Sequence, residues 1–253
     1  GKVALITGGN QRAGKVFTLE LAKAGADIAV NYWKSEEDAI QTKKEVEALG
    51  RKCLMREVSI TDIKGMQDFV DEIDKTFGRL DILVHNAANY NHGPFEEVTE
   101  EHWDGSMNII VKGPFFLSQA ASKLMMKNGG GRMIALIGNS NFEIWPDRIP
   151  HTLAKCGLMK LMESLAVTLS PHIQCNCICP ASFFKGDRPG YEVQYDDKFH
   201  KLGSYVIRNG DVDSVAQMVM FLATCSEYVN GAVIPIDGGK HLIQWTMEYN
   251  QYD

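Results

Sequence analysis

The residues of this chain whose types and spacing best suit proton chemistry are His151 and Lys155. They stand four positions apart in a segment that predicts a helix beginning after Pro150, so their side chains share one helix face. A neighbouring ammonium group lowers the pKa of an imidazole below its usual value of about 6.5. We therefore expect His151 to be neutral at pH 7, a usable proton acceptor and a poor proton donor.

Short apolar runs alternate with longer amphipathic stretches, which is typical of a parallel sheet covered by helices on both faces. The predicted strands are residues 3–7, 27–31, 52–58, 82–86, 132–137, 174–179 and 233–236. The predicted helices are residues 14–24, 36–49, 63–77, 100–127, 152–170 and 211–224. The pattern predicts one α/β domain over residues 1–253, a doubly wound Rossmann-type fold whose ligand crevice lies at the carboxyl ends of seven parallel strands.

The composition excludes some classes of function. The chain has 253 residues and a formal net charge of −6, so it offers no broad cationic surface to nucleic acid. Its apolar runs are far shorter than the roughly 18 residues of a membrane span, and its first residues run directly into a strand. We therefore expect no nucleic-acid partner, no membrane partner and a cytoplasmic location.

Three cysteines, Cys175, Cys177 and Cys179, alternate along one predicted strand and therefore share one of its faces. No second cluster with zinc-ligand spacing completes a metal site in the sequence. Buried reduced thiols are the favoured interpretation over a metal site or a disulfide framework. Such thiols fit a reducing compartment.

A glycine-rich turn follows the first predicted strand, and in it Gly8 and Gly14 flank Arg12. Glycines let the backbone approach a pyrophosphate, which the N-terminus of the next helix attracts through its free N–H groups. The turn therefore indicates a dinucleotide site. A glycine-rich connection with no ligand is the alternative.

Lys34 and Ser35 follow the second predicted strand, where an acidic residue would hold a ribose hydroxyl and repel a phosphate. A basic side chain and a hydroxyl, together with Arg12, favour the 2′-phosphate of NADP instead. Alternatively, Ser35 is only the N-cap of the next helix and forms a capping box with Asp38. If a dinucleotide binds, we expect it to be NADP(H).

Further motifs follow one another along nearly the whole chain. They are the turn at residues 7–14, Glu57-Val58, His85-Asn86-Ala87-Ala88, Cys179-Pro180-Ala181 and Asp237-Gly238-Gly239. In this order they resemble the motifs of the short-chain dehydrogenase/reductase family. The resemblance implies hydride transfer between a nicotinamide nucleotide and a carbonyl or alcohol. It implies nucleotide contacts at Gly8, Arg12, Gly14, Lys34, Ser35, Glu57, Val58, Asn86, Ala87 and Lys155.

The family's catalytic residues are a serine, a tyrosine, a lysine and an asparagine. Carried over position by position, they fall on Gly138, His151, Lys155 and Ile110. Only the lysine is kept. The resemblance therefore implies a degenerate site, in a subunit that pairs with an active homologous dehydrogenase subunit.

Two alternatives stay open. His151 and Lys155 could carry the proton chemistry of an active NADP-dependent oxidoreductase, because imidazole is a common general base. Asn139 or Ser140, beside Gly138, could then supply a shifted hydrogen bond to the substrate. The third interpretation is a lyase or isomerase without net redox change.

The predicted helices at residues 100–127 and 152–170 carry apolar side chains on more than one face. A second apolar stripe suggests burial against another subunit, with deeper burial inside one chain as the alternative. The resemblance implies that these helices join subunits into a tetramer, with a homologous partner or with copies of this chain. The aromatic tail at residues 240–253 is long enough to reach a neighbour.

Residues 183–210 interleave aromatic with basic side chains. The resemblance makes this stretch a substrate lid. Aromatic and basic groups together suit an acidic or CoA-linked substrate. A packed surface loop is the equal alternative.

Overall fold

The computed structural model describes residues 1–181 and 211–242, except for the side chain of Ser140. The strands are β1 (Val3–Thr7), β2 (Asp27–Tyr32), β3 (Cys53–Glu57), β4 (Ile82–His85), β5 (Gly131–Leu136), β6 (Ile173–Pro180) and β7 (Val233–Ile236). They form one sheet in the order β3-β2-β1-β4-β5-β6-β7, and every neighbouring pair is parallel. The predicted seven-stranded, doubly wound Rossmann-type fold is confirmed.

The helices cover both faces of this sheet. They are α1 (Arg12–Lys23), α2 (Glu36–Ala48), α3 (Ile63–Phe77), α4 (Glu100–Met107), α5 (Gly113–Lys127), α6 (Ile149–Thr168) and α7 (Val212–Thr224). Alternate residues of β1 serve opposite cores, as a pleated strand requires. Leu5 packs in the core that contains Phe69 of α3, whereas Ile6 packs in the core that contains Phe17 of α1.

The predicted single helix at residues 100–127 is wrong, because a π-helical turn at Asn108–Lys112 separates α4 from α5. Pro114 has no N–H to donate to the carbonyl of Ile110, so the regular ladder is interrupted there. Gly113 lies so close to the backbone of Ile60 that a Cβ would stand 2.6 Å from its carbonyl oxygen. The missing side chain of Gly113 therefore lets the start of α5 lie close to the segment that follows β3.

Helix α6 begins at Ile149, one turn earlier than the sequence suggests. Pro150 lies in its first turn, where a missing N–H leaves no hydrogen bond unmade. The boundary matters because it places His151 inside a regular helix. The shared helical face of His151 and Lys155 rests on this element.

The three cysteines of β6 all lie in the core beneath α3, α5 and α6, which confirms that they share one face. Burial raises the pKa of Cys175 to about 12 and that of Cys179 to about 11. All six cysteines are free, and the described residues contain no group of side chains that could hold a metal ion. The predicted burial of these three thiols is confirmed.

Two predicted segments lie wholly or partly outside the described residues. The substrate lid at residues 183–210 is one, and the tail at residues 240–253 is described only to Leu242, in a 3-10 turn. Across residues 1–181 and 211–242, no helix combines the length and the apolar character needed to cross a bilayer.

Candidate active site

His151 is held by the loop that follows β4. Its Nδ1 lies 3.0 Å from the backbone oxygen of Asn89. A carbonyl oxygen only accepts, so the ring nitrogen Nδ1 donates and the neutral ring keeps its lone pair on Nε2. The ring of Tyr90 meets the imidazole edge-on, with centroids 5.3 Å apart.

The pKa of His151 is lowered to about 4, first by burial and second by the charge of Lys155. The structure confirms the predicted direction of this pKa shift. The sequence analysis attributed the shift to the ammonium group of Lys155, whereas the larger cause is the loss of water around the buried ring. His151 is therefore neutral at pH 7.

Lys155 lies one helical turn further along α6 and is 6% exposed. Its Nζ donates to the backbone oxygen of Leu136, the last residue of β5, at 2.6 Å. Burial lowers its pKa to about 8, although the nearby thiols of Cys179 and Cys177 oppose the shift. The amine is thus fixed beneath the crevice and stays mostly protonated at neutral pH.

Gly138, at the lost serine position, has a backbone that a serine does not readily adopt. Its φ is +92° and its ψ is 170°, a region open almost only to glycine. Space is not the obstacle, since a Cβ there would meet no atom nearer than the oxygen of Pro180 at 4.0 Å. A serine at position 138 would therefore have room for its side chain but would be strained in its backbone.

The N–H groups of Asn139, the residue after the lost serine position, are already used within the protein. Its Nδ2 donates to Asp237 Oδ2 at 3.1 Å and to Glu143 Oε1 at 3.2 Å. Both N–H groups of the amide are thereby committed to residues beyond the crevice. Oδ1 of Asn139 is buried and has no hydrogen-bond partner among the described residues, so a shifted hydrogen bond in which Asn139 accepts stays a prediction. The side chain of Ser140 lies outside the described residues.

Ile110, at the lost asparagine position, lies in the middle of the π-helical turn and is fully buried. It belongs to the core that also contains Leu117 and Leu158. An apolar side chain there cannot relay a proton to Lys155. The amine of Lys155 instead donates to a backbone carbonyl of β5, which has no proton to pass on.

The glycine turn after β1 is held by Asn86, whose Nδ2 donates to the oxygen of Thr7 at 2.9 Å. The N–H of Ala87 donates to Thr7 Oγ1 at the same distance. Gly14 faces this assembly from the first turn of α1, where a Cβ would overlap the oxygen of Gly8 and stand 2.6 Å from Nδ2 of Asn86. Gly8, Gly14, Asn86 and Ala87 therefore meet in one place.

The N-terminus of α1 is suited to a phosphate. Its N-cap residue, Gln11, makes no side-chain hydrogen bond to the helix, and no acidic residue stands in the first turn. The first N–H groups are thus left without a capping side chain, next to the exposed Arg12. The residues present fit the pyrophosphate of a dinucleotide.

Lys34 and Ser35 lie beside this turn because Asn10, a residue of the turn, binds Ser35. The sequence did not reveal this contact. Buried Asn10 donates from Nδ2 to Ser35 Oγ at 2.7 Å and to the oxygen of Ser35 at 3.1 Å. The alternative capping box of Ser35 with Asp38 is wrong, because Ser35 is the N-cap of α2 without a side-chain cap bond. Exposed Lys34 extends its Nζ over the ring of Trp33, 5.7 Å from the centroid.

Glu57 and Val58 lie at the end of β3, next to the same turn. Glu57 Oε1 accepts from the backbone N–H of Lys34 at 3.3 Å. Val58 is 5% exposed, and its oxygen accepts from Nδ2 of Asn31 at 3.1 Å. The adenine contacts expected of these two residues stay predictions.

Sequence reasoning missed a stack of side chains beside His151. The guanidinium carbon of Arg148 lies 4.7 Å from the ring centroid of Tyr90 and 4.2 Å from that of Trp145. Tyr90 follows β4 and Trp145 follows β5, so only the folded chain brings them together. The segment 145–148 of mixed aromatic and charged residues directly before α6 was the available signal.

The sheet, the glycine turn and the buried lysine define the class of Rossmann-type oxidoreductases. The family model described as enoyl-(acyl carrier protein) reductase matches residues 13–241. The chain is 30% identical to L-rhamnose 1-dehydrogenase (NAD(P)(+)) of Sphingomonas sp., over 96% of this chain and 97% of that protein. The chain belongs to the short-chain dehydrogenase/reductase family.

Solved structures agree with this assignment. A short-chain alcohol dehydrogenase from Sinorhizobium meliloti, described as putative, superposes with a TM-score of 0.90 and 28% identity, over 96% of this chain and 98% of that chain. Carveol dehydrogenase from Mycobacterium avium, solved in complex with NAD, gives a TM-score of 0.87 and 26% identity, over 96% and 98%. The fold of this chain is thus that of its dehydrogenase relatives.

Proposed function

We propose that this chain is a non-catalytic subunit of an oligomeric dehydrogenase, paired with an active homologous subunit that acts on a hydroxyacyl or ketoacyl type of substrate. The observation that carries the proposal is the backbone of Gly138, whose φ of +92° does not suit the missing serine. A serine with this backbone would be strained, so the chain does not readily present the serine hydroxyl that the family uses to hold the substrate oxygen.

The proton chemistry supports the same conclusion. Reduction of a ketone needs a group that donates a proton at the pH of the reaction. His151, with a pKa lowered to about 4, is neutral at pH 7 and its one N–H is engaged by the oxygen of Asn89. The remaining nitrogen, Nε2, is only a weak base.

In this pattern of losses the chain resembles the degenerate subunit of the heterotetrameric 2-[hydroxy(phenyl)methyl]succinyl-CoA dehydrogenase of anaerobic toluene breakdown. We propose a subunit of this kind, in a cytoplasmic tetramer. Exposed apolar side chains on the two helices of the expected interface support it. Phe115 of α5 is 46% exposed and Leu153 of α6 is 47% exposed. Contact with a partner helix would remove both from water.

We also propose that the nucleotide site is retained and prefers NADP(H). The phosphates would lie at Gly8 and Gly14, the 2′-phosphate at Arg12, Lys34 and Ser35, the adenine at Glu57 and Val58, and the nicotinamide ribose near Asn86, Ala87 and Lys155. Bound there, the nucleotide supplies a nicotinamide ring that can donate or accept hydride. The exposed cations at Arg12 and Lys34 support a phosphate in preference to a free hydroxyl.

The nucleotide preference is open to direct titration. We expect NADPH to bind more tightly than NADH, and Arg12→Ala to narrow the gap by about tenfold, because it removes a charged hydrogen-bond donor. Quenching of tryptophan fluorescence measures both affinities. Arg51→Ala, before the amino end of β3 and thus at the opposite end of the strands from the glycine turn, is the matched control and should leave the preference unchanged. An unaltered preference in Arg12→Ala would contradict the role given to that arginine.

A second candidate function is an active NADP-dependent oxidoreductase that uses His151 as the base and Lys155 as its buried cation. One observation favours it: the bond from Nδ1 of His151 to Asn89 orients the ring and leaves Nε2 as a proton acceptor. Oxidation of an alcohol, unlike reduction of a ketone, needs such an acceptor.

Co-expression separates the two candidates. The chain is purified alone and together with a catalytically complete homologue from the same source, and nicotinamide turnover is assayed in both directions. We expect no turnover by the lone chain, and a stable mixed oligomer that is active. Turnover by the lone chain that His151→Ala abolishes would establish the second candidate and exclude the first. The absence of both turnover and stable pairing would contradict both.

A further inference from the structure

The two cations of the proposed nucleotide site share an uncommon backbone conformation. Within the described ranges, Arg12 with a φ of 50° and Lys34 with a φ of 56° are the two residues other than glycine that have a positive φ. A Cβ is crowded in this left-handed region, and residues that occupy it cluster at functional sites. Arg12 ends the turn after β1 and Lys34 lies in the turn after β2, the neighbouring strand. A change in either turn would therefore move a cation.

Buried Asn10 joins these two turns. This residue is 1% exposed, and its Nδ2 donates to Ser35 Oγ at 2.7 Å and to the backbone oxygen of Ser35 at 3.1 Å. Its own backbone oxygen accepts from Thr42 Oγ1 of α2 at 2.8 Å. Lys34 directly precedes Ser35, and Arg12 stands two residues after Asn10. One amide group thus holds the segment that carries Lys34 against the turn that carries Arg12.

The start of the Lys34 segment is held by β3. Tyr32, the last residue of β2, is paired in register with Glu57, the last residue of β3. Glu57 Oε1 also accepts from the backbone N–H of Lys34 at 3.3 Å. These contacts fix where the segment begins, whereas the two bonds from Asn10 fix its end at Ser35.

The charges around this segment make its position important. Both cations are exposed, and among the described residues neither Arg12 nor Lys34 forms an ion pair with a carboxylate. Three exposed carboxylates nevertheless follow at residues 36–38, in the first turn of α2. Attraction and repulsion between charges both fall with distance, so a shift of the segment would exchange attraction for repulsion at a bound phosphate.

We propose that Asn10 is a positioning residue for nucleotide selection, which holds Lys34 where it and Arg12 contact one phosphate on the 2′ oxygen of the adenosine ribose. The inference rests on the proposed function in one respect, that the nucleotide site is retained. Asn10 is buried, so it acts through the segment of Lys34 and Ser35 and does not contact the nucleotide. The choice of NADP(H) over NAD(H) then depends on a neutral buried amide as well as on two cations.

The experiment measures the ratio of the NADPH and NADH affinities of the full chain by quenching of tryptophan fluorescence. Asn10→Ala should lower this ratio about fivefold or more, mainly through weaker NADPH binding, because a misplaced ammonium group forms a poorer charged hydrogen bond. A ratio of two affinities within one preparation does not depend on the fraction of folded chain. Calorimetry with adenosine 2′,5′-bisphosphate and AMP, which differ by the 2′-phosphate alone, should show the same change.

Asn176→Ala is the matched control. Asn176 is also 1% exposed, and its Nδ2 donates to the backbone oxygen of Val229 at 2.9 Å. It lies in β6, which two strands separate from β1, so the ratio should be unchanged. Lys34→Ala separates positioning from a general loss of structure, because in that background Asn10→Ala should lower the ratio no further.

Equal weakening of both nucleotides by Asn10→Ala, or a further loss in the Lys34→Ala background, would overturn the proposal. A clear preference of the parent chain for NADPH that survives in Asn10→Ala would refute this inference alone. A parent chain that bound neither nucleotide, or bound both equally, would refute the proposed nucleotide site and this inference with it.

Discussion

Replacement of Gly14 by alanine is expected to lower the free energy of unfolding by at least about 3 kcal/mol, because the new methyl group has no space. A Cβ there would overlap the oxygen of Gly8 and stand 2.6 Å from Nδ2 of Asn86, which holds the same turn. Neither backbone can move without releasing β1 or α1. Urea unfolding at neutral pH measures the loss, and NADPH titration of the folded fraction should show no binding.

Gly93 provides the matched control for Gly14. It has no positive φ, and no heavy atom beyond its chain neighbours lies within 4 Å of the place where its Cβ would stand. Gly93→Ala should therefore be neutral or slightly stabilising, since alanine narrows the unfolded ensemble. If Gly14→Ala were as stable as Gly93→Ala, the close approach of α1 to the β1 and β4 turns would be refuted.

Acidification from pH 7 to pH 5 is expected to remove about 2 kcal/mol of stability through His85 and up to about 2 kcal/mol through His151. Burial, followed by the charge of Lys155, lowers the pKa of His85 to about 3 and that of His151 to about 4. Below about pH 6.5 the unfolded chain therefore binds protons that the folded chain refuses. Stability falls as the pH falls, until the folded-state pKa values are reached.

Urea unfolding at the two pH values measures this effect. His85→Asn and His151→Asn should each lose about 2 kcal/mol less stability than the parent chain between pH 7 and pH 5. Comparison within each variant removes the effect of the substitution at a single pH. Exposed His172 is the control, and His172→Asn should follow the parent. Full pH dependence in His85→Asn would contradict its burial beside Ser118.

Restoring the family's catalytic residues would have different structural costs at positions 151, 138 and 110. A tyrosine at position 151 would restore a phenol on a helix that already carries Lys155. A serine at position 138 would have to adopt a φ of +92°, at a cost of about 1–3 kcal/mol. Ile110 is fully buried, so an asparagine there would also place an amide in an apolar core. Restoring the tyrosine would thus meet no such obstacle, whereas restoring the serine would strain the backbone and restoring the asparagine would bury an amide.

Local pattern determined most of the architecture. Alternation of apolar runs with amphipathic stretches depends on residues near in sequence, so all seven strands were predicted within two residues of their observed ends. The glycine turn at residues 8–14 also depends on residues near in sequence. So does the spacing of His151 and Lys155, which places both side chains on one helix face. The π-helical turn was not predicted, although its local cause, the missing N–H of Pro114, was present in the sequence.

What the amino-acid order determined by itself is the doubly wound sheet, the nucleotide turn and the absence of three of the family's four catalytic side chains. Only the tertiary structure decided that the backbone at Gly138 disfavours serine, that Asn89 holds the imidazole, and that Arg148 lies between Tyr90 and Trp145. The physical reason is that burial, pKa and ring stacking depend on neighbours contributed by separate loops. Those loops meet only when the carboxyl ends of β4 and β5 are side by side.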